Sequence, residues 1–145
     1  MIQQYTKPTR NKDIVRKWHL VDLKGKILGR AATGIAAKLI GKNKVYYVPN
    51  LDCGDHVVVV NATQVEVTGK KPSQKEYMHF SGYPGGLKRK PYKQIMIEKP
   101  ERIIQQAVSG MLPKNKLRDS MLKRLYVYHD DKHPYEAKLS HGEKN

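Results

Sequence analysis

One cysteine, one phenylalanine and one tryptophan, with only 13 acidic residues in 145, limit what this chain can be. Cys53 alone forms neither an internal disulfide nor a multi-cysteine zinc cluster, and such sparing use fits a reducing compartment. No run approaches the ~18 apolar residues of a membrane-spanning helix. The opening Met1-Ile2-Gln3-Gln4-Tyr5 lacks the apolar centre of a secretory signal, so the expectation is a cytoplasmic protein with no membrane contact. The shortage of acids excludes most. Against 28 Lys+Arg it leaves a formal charge of +15, and such a surface repels itself unless a polyanion neutralises it.

What is present sharpens that reading. Lysine outnumbers arginine 21 to 7, which suits point-charge contact with phosphate better than the bidentate fork that reads guanine edges. The cations are also segregated: residues 23–51 hold six and no acid, residues 81–93 four and no acid, residues 114–124 five and one acid. A run of charge is ordinarily a solvated face, but ordinary surfaces interleave the two signs. Glycine and proline also break two cation-bearing segments, Ser81-Gly82-Tyr83-Pro84-Gly85-Gly86-Leu87-Lys88-Arg89-Lys90 and Gly110-Met111-Leu112-Pro113-Lys114-Asn115-Lys116-Leu117-Arg118. Small residues let backbone approach a partner closely, and the cations make that partner an acid. Tyr77, His79, Tyr83 and Tyr92 stand among the cations of the first segment, where they could stack on unpaired bases or simply fill the core.

The patterning predicts one α/β domain with an arm over residues 1–15, a body over 16–128 and a polar tail over 129–145. Residues 18–22 read as a strand. A turn at Lys24-Gly25-Lys26 leads to a helix over 30–40, where Ala32, Ile35, Ala36, Leu39 and Ile40 recur at helical spacing and Gly41 stops it. Residues 56–61 carry four valines without polar alternation, as in a strand covered on both faces of a parallel sheet. Strand, helix, strand in that order is one crossover unit. Residues 63–68 alternate strictly, with Val65 and Val67 on one face, which predicts a half-exposed strand nearer an edge. Residues 74–80 continue as extended chain. Helices follow over 91–98, then from Pro100 with Ile103, Ile104, Ala107, Val108 and Met111 on one face and Gly110 as cap, then a basic helix over 114–124. Residues 125–128 form a last short strand.

Catalytic and metal readings fare poorly. Gly29-Arg30 and Gly69-Lys70-Lys71 resemble the end of a phosphate-binding loop. That loop needs a glycine where Lys24 or Gln64 stands and a hydroxyl where Ala31 or Lys71 stands. Cys53 with His56, Asp52 and Asp55, and the later cluster of His129, Asp130, Asp131 and His133, fall short of four spaced nitrogen or sulfur ligands. Asp52 and Asp55 fit turn caps ahead of the valines, and Cys53 fits a small apolar residue. No metal, cofactor or small-molecule substrate is expected. An RNA-processing enzyme and a DNA-compacting protein remain as alternatives.

Several segments carry a resemblance: Arg16-Lys17-Trp18, Leu28-Gly29-Arg30, Asp52-x-Gly54-Asp55, Thr68-Gly69-Lys70-Lys71, His79-x-Ser81-Gly82-Tyr83-Pro84-Gly85-Gly86-Leu87-Lys88, Lys99-Pro100-Glu101-Arg102 and Gly110-Met111-Leu112-Pro113-Lys114-Asn115. In this order, from about Arg16 to His133-Pro134, the chain resembles the bacterial type of large ribosomal subunit protein thirteen. The resemblance implies a three-layer α/β/α sandwich on a mainly parallel four-stranded sheet with basic loop and helix extensions. It also implies a non-enzymatic role in a bacterial-type ribosome, binding 23S-type rRNA beside neighbouring large-subunit proteins and supporting early assembly. The residues expected at the RNA are Lys42, Lys44, Lys70, Lys71, Lys75, His79, Tyr83, Lys88, Arg89, Lys90, Lys114, Lys116, Arg118, Lys123 and Arg124. Departures from the family pattern fall at 48–55, at 78–81 and in the tail at 133–138.

Overall fold

Three parallel strands run through the middle of the molecule: β1 (Trp18–Asp22), β2 (His56–Val60) and β5 (Leu125–Val127), in the order β1-β2-β5. The computed structural model describes residues 7–142. Residues 1–6 of the expected arm and 143–145 of the tail lie outside that range. The central place of β2 explains its valines: Val57, Val58, Val59 and Val60 are all buried because both edges are paired and both faces are covered.

The two faces are covered differently. Val57, Val59, Leu125 and Val127 meet α1 (Leu28–Ile40) and α4 (Pro100–Met111) in one apolar cluster with Ala32, Ile35, Leu39, Ile103, Ile104 and Val108. Strand alternation sends Trp18, His56, Val58 and Tyr126 to the other face. There Trp18 stacks on His56 at 4.3 Å between ring centroids, Tyr135 of the tail stacks on Trp18 at 5.0 Å, and Lys138 of the short α6 (Glu136–Gly142) lies 4.8 Å above the indole. The fold is thus mixed α/β, with helices on one face of the parallel sheet and an aromatic cluster beside a short helix on the other.

The four-stranded sheet is corrected to three parallel strands among the described residues. Asn61 is left-handed at φ 58° and starts a 3-10 turn over Ala62–Gln64 in place of a strand. Beyond it the alternation survives, with Val65 buried and Glu66 exposed. The pairing, however, is one parallel bridge in which the Leu28 N–H donates to the Glu66 carbonyl at 2.8 Å. That bond also starts α1 two residues earlier than periodicity indicated, for Ile27 has no capping side chain. At the other end Gly41, at φ 83°, donates to the Ala37 carbonyl and ends the helix as expected.

Residues 71–98 form an excursion from the sheet. Lys71–Gln74 makes one helical turn (α2), which overlaps the expected extended stretch over 74–80 at Gln74 alone. An antiparallel hairpin follows, β3 (Glu76–Phe80) with β4 (Leu87–Pro91), then α3 (Tyr92–Glu98). Strand β4 was not foreseen: Leu87-Lys88-Arg89-Lys90-Pro91 has little strand propensity, and its pairing to β3 holds it extended. Gly82 and Gly85, at φ 88° and 74°, make the tight connection. Gly110 does not cap α4 but lies within it; Leu112 is the cap and is buried, while Met111 stays exposed. The basic helix shortens to α5 (Leu117–Leu122), whose start the Asn115 carboxamide oxygen caps by accepting from the Leu117 N–H at 3.1 Å.

Candidate nucleic-acid interface

Some of the cations are spent inside the fold. Gly54 passes so close to the end of α1 that an added Cβ would sit 1.6 Å from the Leu39 carbonyl oxygen, so only glycine fits. This approach brings Asp52 and Asp55 against the sheet. Arg124, only 8% exposed, grips the Asp52 carboxylate with both terminal nitrogens and donates to the carbonyls of Leu39 and Asp55, each at 3.3 Å. Arg16 donates to the carbonyl of Gly54 at 2.8 Å. Around Asp55, the His19 ring nitrogen stands at 2.8 Å, the Lys17 N–H donates at 2.9 Å and the Lys44 ammonium forms an ion pair. Burial opposes the charge on Asp55, but these partners outweigh it and hold the carboxyl at about 2.

Lys44 and Arg124 were expected among the residues facing RNA. In the structure each is instead paired within the protein, Lys44 with Asp55 and Arg124 with Asp52, two nearly buried carboxylates that also have His19 and Arg16 beside them. Their sequence neighbours Lys42 and Lys123 remain exposed.

The hairpin presents the largest open basic element. Its register pairs Tyr77 with Lys90 and His79 with Lys88 on one face, and Met78 with Arg89 and Phe80 with Leu87 on the other. The first face turns toward α3 and α4. Tyr77 is buried there, and His79, Lys88 and Lys90 share a cavity of about 120 Å³ with Ile95 and Arg102. Lys90 is tethered to Glu98 at 2.7 Å, and Arg89 lies at 4.0 Å from Glu76, whereas Lys88 is unpaired among the described residues. At the tip Tyr83 is 75% exposed, and Phe80 is 62% exposed nearby. Lys70, Lys71 and Lys75 are exposed before β3, with the Lys75 ammonium 5.2 Å over the Tyr77 ring.

Lys114, Lys116 and Lys123 are exposed around α5, while Arg118 is half-buried with an Nε atom that has no hydrogen-bond partner. Arg102 is the residue sequence reasoning missed. It lines the hairpin cavity and also a groove between α4 and α5 that contains Lys123, so it joins the two basic elements. The available signal was spacing: Arg102, Gln105, Gln106 and Ser109 form a polar stripe opposite Ile103, Ile104 and Val108.

The other titratable clusters are dispersed. Cys53 is fully buried, His56 stacks on Trp18, His129 pairs with Glu101 at 3.0 Å and the His133 ring accepts from the Tyr135 N–H at 3.2 Å. Burial, followed by the charges of Arg124 and Arg16, lowers the proton affinity of His56. Among the described residues no three of His, Cys, Asp and Glu come together as a metal site, and no helix is long and apolar enough to cross a membrane.

The model of the ribosomal protein L13 family matches residues 16–134. The chain belongs to this family. It is 51% identical over 130 residues to the large ribosomal subunit protein uL13 of Solibacter usitatus, covering 90% of each chain. The uL13 of Caldanaerobacter subterraneus subsp. tengcongensis is 52% identical over 125 residues, 86% of this chain and 87% of that one. That of Thermotoga petrophila is 51% identical over 134 residues, 92% and 90% of the two chains. The L13 match takes in the sheet, the hairpin and both helices that flank the groove.

Proposed function

We propose that this chain is a structural, non-catalytic constituent of the large ribosomal subunit that binds 23S-type rRNA and supports early assembly of that subunit. The observation that carries this reading is an exposed set of cations on an L13-family fold: Lys42, Lys70, Lys71, Lys75, Lys88, Arg89, Lys114, Lys116 and Lys123 all reach solvent. His79, Tyr83, Lys90 and Arg118 complete the set of proposed contacts. The reading leaves out Lys44 and Arg124, whose charge is met internally. Such a surface recognises phosphate and shape more than base sequence, which suits folded RNA. The place of action is the cytoplasmic ribosome of a bacterial-type system, with other large-subunit proteins as neighbours.

Filter binding to a large-subunit rRNA transcript tests the reading. With roughly 6 to 10 phosphates contacted, affinity falls roughly 10³- to 10⁵-fold between about 50 and 200 mM salt. A nearly flat salt response, or equal competition by duplex DNA, would overturn it. In a sedimented cell extract the chain travels with the large subunit.

A further inference from the structure

Between α4 and α5 lies a groove of about 490 Å³, within the roughly 300–1,000 Å³ range of sites that hold small molecules. Arg102, Gln105 and Gln106 enter it from α4, and Asp119, Leu122 and Lys123 from α5. The polar side chains that line it are uncommitted. Arg124 beside them is fully engaged within the protein, yet among the described residues the side chains of Arg102, Gln105, Gln106, Asp119 and Lys123 make no hydrogen bond or ion pair.

We propose that this groove takes one unpaired adenine nucleotide extruded from the bound rRNA. The inference rests on the rRNA-binding reading and deepens it. Leu122, half-buried, provides an apolar surface for the ring. A glutamine amide can pair bidentately with the N6 and N7 edge of adenine, and the Asp119 carboxylate accepts a hydrogen bond from an exocyclic amine but repels a carbonyl. Arg102 and Lys123 supply charge for the flanking phosphates. Arg102 also lines the hairpin cavity with Lys88 and Lys90, so one guanidinium is common to the hairpin and the groove. Unpaired, splayed-out bases are what proteins read in folded RNA, because the deep major groove of its helices is closed to side chains.

The test is footprinting with diethyl pyrocarbonate, which modifies N7 of unstacked adenine, on a large-subunit rRNA transcript bound to the full chain, with filter binding alongside. At least one unpaired adenine is protected by the wild type and regains reactivity with Gln105→Leu/Gln106→Leu. The double variant loses about tenfold in affinity while the salt slope holds, since no charge is removed. Gln106→Glu, nearly the same in shape, gives the same regain and guards against misfolding of the first variant, which circular dichroism checks. Identical adenine protection in wild type and both variants overturns the inference and leaves the rRNA-binding reading standing. Regain confined to guanines also overturns it. Loss of salt-dependent binding by the wild type would remove both.

Discussion

Lys42 and Lys44 are two residues apart, and Lys123 and Arg124 are adjacent, yet each pair is split between opposite environments. Lys42 and Lys123 stand in solvent, while Lys44 and Arg124 neutralise Asp55 and Asp52 against the sheet. The difference lies in what the backbone brings near each side chain. The knot forms where the Gly54 segment reaches the end of α1, and cations on that side find a carboxylate; those on the hairpin and around α5 find few. Internal cations hold the fold, and external ones remain to attract a polyanion.

The largest effect is expected at the sheet beside the ion pairs of Asp52 and Asp55. Val58→Asp buries an unpaired carboxylate between β1 and β5, and the expected outcome is loss of the folded state by circular dichroism at 25 °C. Next in size is Arg124→Gln. Removing this partner leaves the nearly buried Asp52 with only Arg16, at 3.8 Å, and costs about 3 kcal/mol in denaturant unfolding. Because the proposed function leaves this internally paired guanidinium out of the interface, the folded fraction should retain its rRNA affinity within about twofold; a large affinity loss with stability intact would reverse the assignment.

A smaller effect appears with acid. Asp55 has its carboxyl at about 2 against an ordinary 3.8, so its stabilising contribution is complete above the unfolded value and lost as pH falls through the folded one. Stability should drop by on the order of 2 kcal/mol between about pH 4 and pH 2, and Asp55→Asn should flatten that part of the profile. The external set gives the smallest effect on stability. Replacing Lys114, Lys116 and Lys123 together with Gln should shift unfolding by less than about 0.5 kcal/mol per site while weakening rRNA binding and its salt slope. Unchanged affinity would remove α5 from the interface.

Where periodicity met a matching environment, the sequence was legible. The spacing of Ala32, Ile35, Ala36, Leu39 and Ile40 defined α1, the uninterrupted valines marked β2 as central, and the segregation of lysine marked a polyanion partner. Val65 and Val67 showed which side faces inward but not that their segment pairs through only one bridge, because alternation reports burial and says nothing of a partner strand. The basic strand β4 was hidden for the opposite reason, since its extended form comes from cross-strand pairing with β3. Gly110 resembled a cap, yet α4 runs through it as Val108 and Leu112 draw the following turn into the core.

By itself, the order of residues determined the crossover of strand, helix and strand, the apolar faces of the helices and the excess of positive charge, since these follow from local spacing and composition. Only the tertiary structure decided which cations are spent on Asp52 and Asp55, that the tail lies on Trp18, and that Arg102 joins the hairpin to the groove between α4 and α5. Those outcomes depend on groups far apart in the chain meeting at hydrogen-bond distance, and no periodicity along the chain encodes a separation in space.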